Sequence, residues 1–231
     1  MQLSFEPKKV FIIIPSYNEG KVIADTVKPL IKMEYTVVVV DDCSTDNTRE
    51  ALAGLPVVYL KHDINLGQGA AIQTGLEYAL EKNAEYAVTF DADGQHNYEE
   101  IPALLEPVIN GRADIAMGTR FKRQEDIANV PFARKLILKG AIIVNGLFTG
   151  LWLTDAHNGF RAMNRTALSK IKLRENRMAH ASEILSQVKS NHLRYEEVPV
   201  KIIYTDYSKL KGQSSMNSIN ILIDLLLKKI F

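Results

Sequence analysis

The sequence predicts an α/β fold with a mostly parallel sheet, and three observations carry that prediction. Short β-branched runs alternate with helical segments of about a dozen residues, the pattern of strand and crossover helix. No linker, repeat or low-complexity tract divides the 231 residues. Carboxylate-rich segments follow directly on the apolar runs, at the carboxyl ends of strands, where ligands bind in folds of this kind.

Taken in order, residues 10–14 and 37–40 are β-branched runs closed by polar, turn-forming residues, and both read as buried parallel strands. Helical material follows each, over residues 18–32 and 46–53. Residues 69–82 predict a third helix, with apolar positions at Ala70, Ile72, Leu76 and Leu80. Residues 57–60 and 86–90 supply two more strands. Past residue 110 the pattern changes: 115–118 can form a strand, 133–151 is a long apolar stretch, and 197–204 alternates like another strand. Residues 215–231 predict a helix whose Asn217, Asn220, Asp224 and Lys228 make one polar stripe on an apolar cylinder. The expected division is one domain over residues 1–214 and an amphipathic C-terminal helix over 215–231.

This length suits one globular domain with a normal core and leaves no room for a second full domain. The single Cys43 excludes a disulfide framework or a cysteine metal cluster and suits a reducing cytosol. The N-terminal residues lack the pattern of a secretory signal, so the protein is expected to stay where it is made. A net charge of +1 hides an asymmetry: residues 1–110 carry 8 Lys and Arg against 17 Asp and Glu, and residues 111–231 carry 20 against 10. An acidic half suits metal and ribose binding, and a basic half suits phosphates or an anionic membrane surface, although solvated helix faces account for basic residues equally well.

The chemistry-bearing segments after the strands are residues 15–19, 41–46, 62–65 and 91–95. Asp91 and Asp93 form the strongest single signal, because carboxylates spaced i, i+2 in a turn can converge on one hard cation. Oxygen-only ligation favours Mg²⁺ or Mn²⁺. Asp41, Asp42, Asp63 and Asn65 offer acceptors for a ribose or base edge, whereas Asp46 is expected to cap the helix that follows. Residues 65–69 open a helix with two glycines and can present backbone N–H groups to an anion. They are not a Walker loop, since its spacing and lysine are missing.

Seven segments together resemble the family 2 glycosyltransferases of the GT-A fold, and especially the branch that glycosylates dolichyl and other polyprenyl phosphates. They are IIIPSYNEG (12–20), VVVVDDCSTDNT (37–48), NLGQGAAIQTGL (65–76), FDADGQH (90–96), MGTRF (117–121), DAHNGFRAMNR (155–165) and EEVPVKIIYTDYSKLKGQSS (196–215). The resemblance implies that Pro15, Tyr17 and Glu19 surround the nucleotide base, with Asp42 near the base or ribose. It implies that Asp91, Asp93 and Gln95 lie at the metal and diphosphate, and that Arg120 and Arg161 meet phosphate oxygens of donor or acceptor. Asp155 looks like the acceptor-side carboxylate, and Ser208 and Lys209 match a mobile segment closing over the diphosphate. Two departures, Gln68 where many relatives carry Lys or Arg and His157-Asn158 before Gly-Phe-Arg, bear on donor identity more than on reaction type.

The implied activity is inverting transfer of a sugar from a nucleotide-sugar to a polyprenyl phosphate. UDP-glucose, UDP-N-acetylglucosamine and GDP-mannose all remain open as donors, with a UDP-sugar preferred. Alternatives are a family 2 enzyme acting on a glycan hydroxyl, a non-catalytic nucleotide-binding module and a nucleotidyltransferase, the last weakened by the missing glycine-rich phosphate loop. Nucleic acid is not an expected partner. The apolar stretches 141–153 and 219–227 are shorter than the roughly 20 residues that cross a bilayer. Arg134, Lys135 and Lys139 adjoin one, and Lys228 and Lys229 end the other. The expected location is therefore peripheral, on the cytoplasmic membrane face, with core packing or a membrane-embedded partner subunit as the other readings of these helices.

Overall fold

A computed structural model describes residues 5–120, 142, 143, 146, 150–155, 158–201 and 203. Seven strands form one sheet in the order β3-β2-β1-β4-β6-β5-β7. They are β1 (Val10–Ser16), β2 (Thr36–Asp41), β3 (Val58–Lys61), β4 (Tyr86–Thr89), β5 (Ile115–Thr119), β6 (Arg161–Asn164) and β7 (Tyr195–Pro199). All are parallel except β6, which lies antiparallel between β4 and β5.

Every residue of β1 is buried, as an apolar run in the middle of a two-sided sheet requires. Alternation along the strand divides the core. Phe11 and Ile13 join Val38 and Val40 on one face under helix α3 (Gln68–Glu81), where Ile72 and Leu76 pack. Ile12 and Ile14 join Val37 and Val39 on the other, under α1 (Ile23–Lys32) and α4 (Ile101–Ile109). Gly75 explains how closely α3 approaches the sheet, since a Cβ there would sit 2.2 Å from Ile13 Cγ2.

The first helix begins five residues later than expected. Residues 18–22 form a loop instead, with Asn18 in the left-handed region at φ 55° and the N–H groups of Val22 and Ile23 both donating to the Glu19 carbonyl. The second helix, α2 (Thr48–Ala51), is a single turn, and α3 falls within one residue of its expected bounds. β7 starts two residues before the alternating stretch that predicts it. Strand β6 and helices α4, α5 (Arg165–Lys170) and α6 (His180–Ser190) have no counterpart in the sequence reading. β6 is only four residues long and begins with a buried arginine, so it lacks an apolar run to mark it. Most of the apolar stretch 133–151 and the whole helix expected over 215–231 lie outside the described residues.

Candidate active site

The carboxyl ends of β1 and β2 lie side by side, with Ser16 in register with Asp41, and the loops beyond them are laced together. The Asn18 N–H donates to Ser44 Oγ (2.9 Å), the Thr45 N–H to Asn18 Oδ1 (2.9 Å), and the Glu19 N–H to Thr48 Oγ1 (3.0 Å). Asp46 accepts from the Gly20 N–H (3.0 Å) as well as from the Thr48 N–H (3.0 Å), so it ties the two loops while serving the first turn of α2. Pro15 and Glu19 are buried, and Tyr17 between them is 46% exposed.

Asp41 and Asp42 are also buried, and the chain itself supplies their partners. Asp41 accepts from the Ser44 N–H (2.8 Å) and from the Tyr59 hydroxyl. Asp42 accepts from the Leu66 N–H (2.9 Å), the Gly67 N–H (2.6 Å) and His62 Nδ1 (2.8 Å). A carboxylate only accepts, so His62 carries a proton on Nδ1, and its Nε2 lies 2.9 Å from Thr74 Oγ1. The anion cradled by the glycine loop is therefore Asp42 itself. Its carboxylate shapes the loop instead of offering a free edge to base or ribose. Asp63 is exposed beside this loop.

Gly67 and Gly69 permit a further close approach. A Cβ on them would lie 2.4 Å from the Asn176 carbonyl oxygen and 2.0 Å from that of Glu175. The Asn176 carbonyl accepts from the Ala70 N–H (3.2 Å) in the first turn of α3. Residues 174–176 thus close against the glycine loop, held from behind by the Glu183 carboxylate, which accepts the Arg174 and Glu175 N–H groups at 3.0 and 2.9 Å.

Past β4, Asp91 and Asp93 occupy one turn. Asp91 accepts from Gln68 Nε2 (3.1 Å) and His96 Nε2 (3.0 Å), and the His96 ring stacks on Phe160 with centroids 4.8 Å apart. Asp93 accepts from both the backbone N–H (3.0 Å) and the side-chain amide (2.6 Å) of Gln95. Gln95 therefore holds a carboxylate in place, where the resemblance implies that it lies at the metal. Burial raises the Asp91 carboxyl, but hydrogen bonding and charge from His96, with smaller contributions from His180 and Arg161, hold it below its ordinary range. Desolvation and the neighbouring Asp91 charge push Asp93 up. Two oxygen-bearing groups that repel one another in a partly buried turn suit a small divalent cation. Among the described residues, no group of three His, Cys, Asp or Glu side chains is placed to hold such an ion alone. The backbone of Gly159 lies against this turn, since a Cβ there would come within 2.9 Å of Asp91 Oδ2.

Arg161 opens β6 and is only 2% exposed, so its guanidinium is buried, where the resemblance implies contact with phosphate oxygens. Burial lowers its guanidinium to about 10, and the charges of Asp91 and Asp155 work against that fall. One buried cation thereby links the carboxylate of the Asp91 turn to that of Asp155. His180, at the start of α6, is lowered to about 4 by burial and by Arg161, and it donates through Nδ1 to the Arg177 carbonyl (2.7 Å) as a neutral ring.

Asp155 is 6% exposed, and both of its oxygens are engaged by Arg120, whose side chain is 35% exposed. Nε donates to Oδ2 (2.7 Å), Nη2 to Oδ1 (2.8 Å) and the Arg120 backbone N–H to Oδ2 (3.1 Å). The sequence names both residues but not their pairing. Asn158, also buried, accepts the Phe160 N–H at 3.0 Å. Glu197, read in sequence only as part of a strand, accepts from the N–H (2.7 Å) and hydroxyl (2.8 Å) of Thr154. The available signal was an acidic residue inside an alternating strand. Ser208, Lys209 and His157 lie outside the described residues.

An acidic strand-end site on a mostly parallel sheet is the plan of nucleotide-sugar transferases of the GT-A fold, and the fold here is of that type. The model for "Glycosyl transferase family 2" matches residues 11–172, and the chain belongs to that family of glycosyltransferases. It is 36% identical to a UDP-N-acetylglucosamine–dolichyl-phosphate N-acetylglucosaminyltransferase of Methanococcus voltae, over 96% of each chain. It is 34% identical to a dolichol-phosphate mannosyltransferase of Pyrococcus furiosus, over 89% of this chain and 60% of that longer protein. Among solved structures, glucosyl-3-phosphoglycerate synthase of Mycobacterium tuberculosis, crystallised with Mn²⁺, UDP-glucose and phosphoglyceric acid, superposes with a TM-score of 0.64. That likeness covers 95% of this chain and 78% of the other at 16% identity.

Proposed function

We propose that this enzyme transfers a sugar from a nucleotide-sugar, a UDP-sugar by preference, to a polyprenyl phosphate. The observation that carries the acceptor class is the engagement of Asp155. A sugar hydroxyl must lose its proton as the bond forms and needs a carboxylate available to take it. Here the carboxylate of Asp155 is buried and paired with Arg120, whose side chain is partly exposed, so a cation stands nearer the surface than the carboxylate does. A lipid phosphate, with a second pKa of about 6, arrives already largely ionised and needs a cation more than a base. The two relatives above, acting by name on dolichyl phosphate, support the same choice.

On this reading an acceptor phosphate oxygen attacks the anomeric carbon as the bond to the nucleoside diphosphate breaks, with inversion. Tyr17 and Asp63 are assigned to the nucleotide, the buried Pro15, Glu19 and Asp42 to the loops that shape its side of the site, and Ser208 and Lys209 to the diphosphate. Asp91 and Asp93 would hold Mg²⁺ or Mn²⁺ together with donor phosphate oxygens, the usual way a magnesium ion is shared between one or two carboxylates and a substrate. Bound there, the ion would offset the charge that develops on the departing diphosphate. His96, with a smaller contribution from the buried Arg161, keeps Asp91 ionised, and Arg120 orients the acceptor phosphate.

Among the described residues no helix is long and apolar enough to cross a membrane. We assign residues 1–214 to the catalytic domain and 215–231 to contact with the cytoplasmic membrane surface or with a membrane-embedded partner, where the acceptor resides. The test is product formation by purified protein with Mg²⁺ or Mn²⁺, labelled UDP- and GDP-sugars, and undecaprenyl or dolichyl phosphate in detergent, beside Asp93→Ala. A metal-dependent, chloroform-soluble labelled lipid that the variant fails to make is expected. Donor turnover with the label passing only to water-soluble glycans would sink the lipid-phosphate assignment.

A further inference from the structure

Between the sheet edge and the Arg120–Asp155 pair lies a carboxylate with no part in the reaction outlined above. We propose that Glu197, on β7, is a positioning residue that fixes the turn carrying Asp155 and, through it, the guanidinium of Arg120. The proposal rests on the reading of Arg120 as the group facing the acceptor phosphate.

A single oxygen of Glu197 gathers three donors from consecutive residues: the Thr154 N–H (2.7 Å), the Thr154 hydroxyl (2.8 Å) and the Asp155 N–H (3.3 Å). Two successive backbone N–H groups aimed at one anion constrain the backbone between them, because both peptide planes must turn towards the same point. The hydroxyl adds direction. An ionised carboxylate only accepts, so the Thr154 proton goes to Glu197 and the Thr154 oxygen is left to accept from Thr119 Oγ1 at 2.7 Å. Thr119 ends β5 and directly precedes Arg120, so the chain of bonds runs from β7 through residues 154–155 to the strand end bearing the guanidinium. Asp155 then closes the circuit on Arg120 through its three hydrogen bonds.

The sheet does not need this side chain to keep β7 in place. Residues 115–119 pair with 195–199 along a parallel ladder that includes Met117 opposite Glu197. What the carboxylate adds is the setting of a turn that has no strand of its own. Charge-assisted hydrogen bonds of this kind are shorter and stronger than neutral ones, which suits holding an arginine fork to phosphate geometry.

The experiment compares wild type, Glu197→Ala, Glu197→Gln and Thr154→Val in the full chain. It measures steady-state kinetics with undecaprenyl phosphate, donor binding by calorimetry, and amide exchange at Thr154 and Asp155. For Glu197→Ala, kcat/KM for the acceptor should fall about tenfold to a hundredfold and both amides should exchange about tenfold faster or more, with donor Kd held within about twofold. Glu197→Gln keeps an acceptor at Oε1 and should recover most of the loss. Thr154→Val, which leaves β7 untouched, should move acceptor kinetics in the same direction by less and so decides the matter if the alanine variant fails to fold. Unchanged exchange at Thr154 and Asp155 in Glu197→Ala, or a loss of donor binding equal to the loss of acceptor efficiency, would overturn the proposal. A wild type that transfers nothing to polyprenyl phosphate defeats the acceptor assignment instead, and the exchange rates still decide the role of Glu197.

Discussion

Arg120 shows what a side chain gains from its partner. Held by Asp155 at 2.7 and 2.8 Å, its guanidinium is fixed in plane while its side chain stays 35% exposed, a geometry that suits the proposed role of orienting a phosphate. Lysine keeps the charge but has no fork. Arg120→Lys is therefore expected to lower kcat/KM for the lipid acceptor by about tenfold or more, with donor affinity nearly unchanged. Steady-state kinetics against acceptor, beside calorimetry with donor, check this, and equal efficiency in the lysine variant would remove the bidentate requirement. The D-x-D carboxylates were legible because spacing and a preceding apolar strand mark them. Arg120 and Asp155 lie 35 positions apart, and nothing in one sequence couples them. The burial of Arg161 is not legible in the sequence, because it depends on β6, which no apolar run announces.

Elements with long or strongly apolar patterns were read well, and those defined by tertiary contacts were not. β1, β2 and α3 follow directly from β-branched runs and helical periodicity. The loop at residues 18–22 reads as helix in sequence but is held open by bonds from residues 44–48, which no local pattern reveals. Gly75 marks a related limit. In a helix interior glycine costs about 1 kcal/mol relative to alanine, yet here it admits Ile13 of β1 to contact. Gly75→Ala should destabilise the fold by about 1–3 kcal/mol, because overpacking at 2.2 Å outweighs the gain in helix propensity. Chemical denaturation measures it, and a variant as stable as wild type would show that α3 can move off the sheet at no cost.

At the scale of the whole molecule, the division into an acidic first half and a basic second half has a partial structural meaning. The acidic residues at the ends of β1, β2 and β4 do converge on one edge of the sheet, although Asp41, Asp42 and Asp46 build the loops there. Two described cations of the second half pair within the fold away from this site, Arg112 with Glu106 and Glu196 and Arg194 with Asp114, while Arg120 pairs with Asp155 at it. Family membership, most of the parallel sheet and the Asp91–Asp93 turn are thus legible in the sequence, whereas the pairing of Arg120 with Asp155 is visible only once β5, β6, β7 and residues 150–155 are brought together.

The central claim is that the acceptor is a phosphate met by a cation, with no general base required. The most direct measurement compares a polyprenyl phosphate with the corresponding free polyprenol as acceptors, across pH, with the same labelled donor. The phosphate should be glycosylated with a rate that falls as pH drops below about 6, where its second ionisation is lost, and the alcohol should give no product. Comparable transfer to the free alcohol would contradict the account, since it would require a general base, which the proposed reaction does not include.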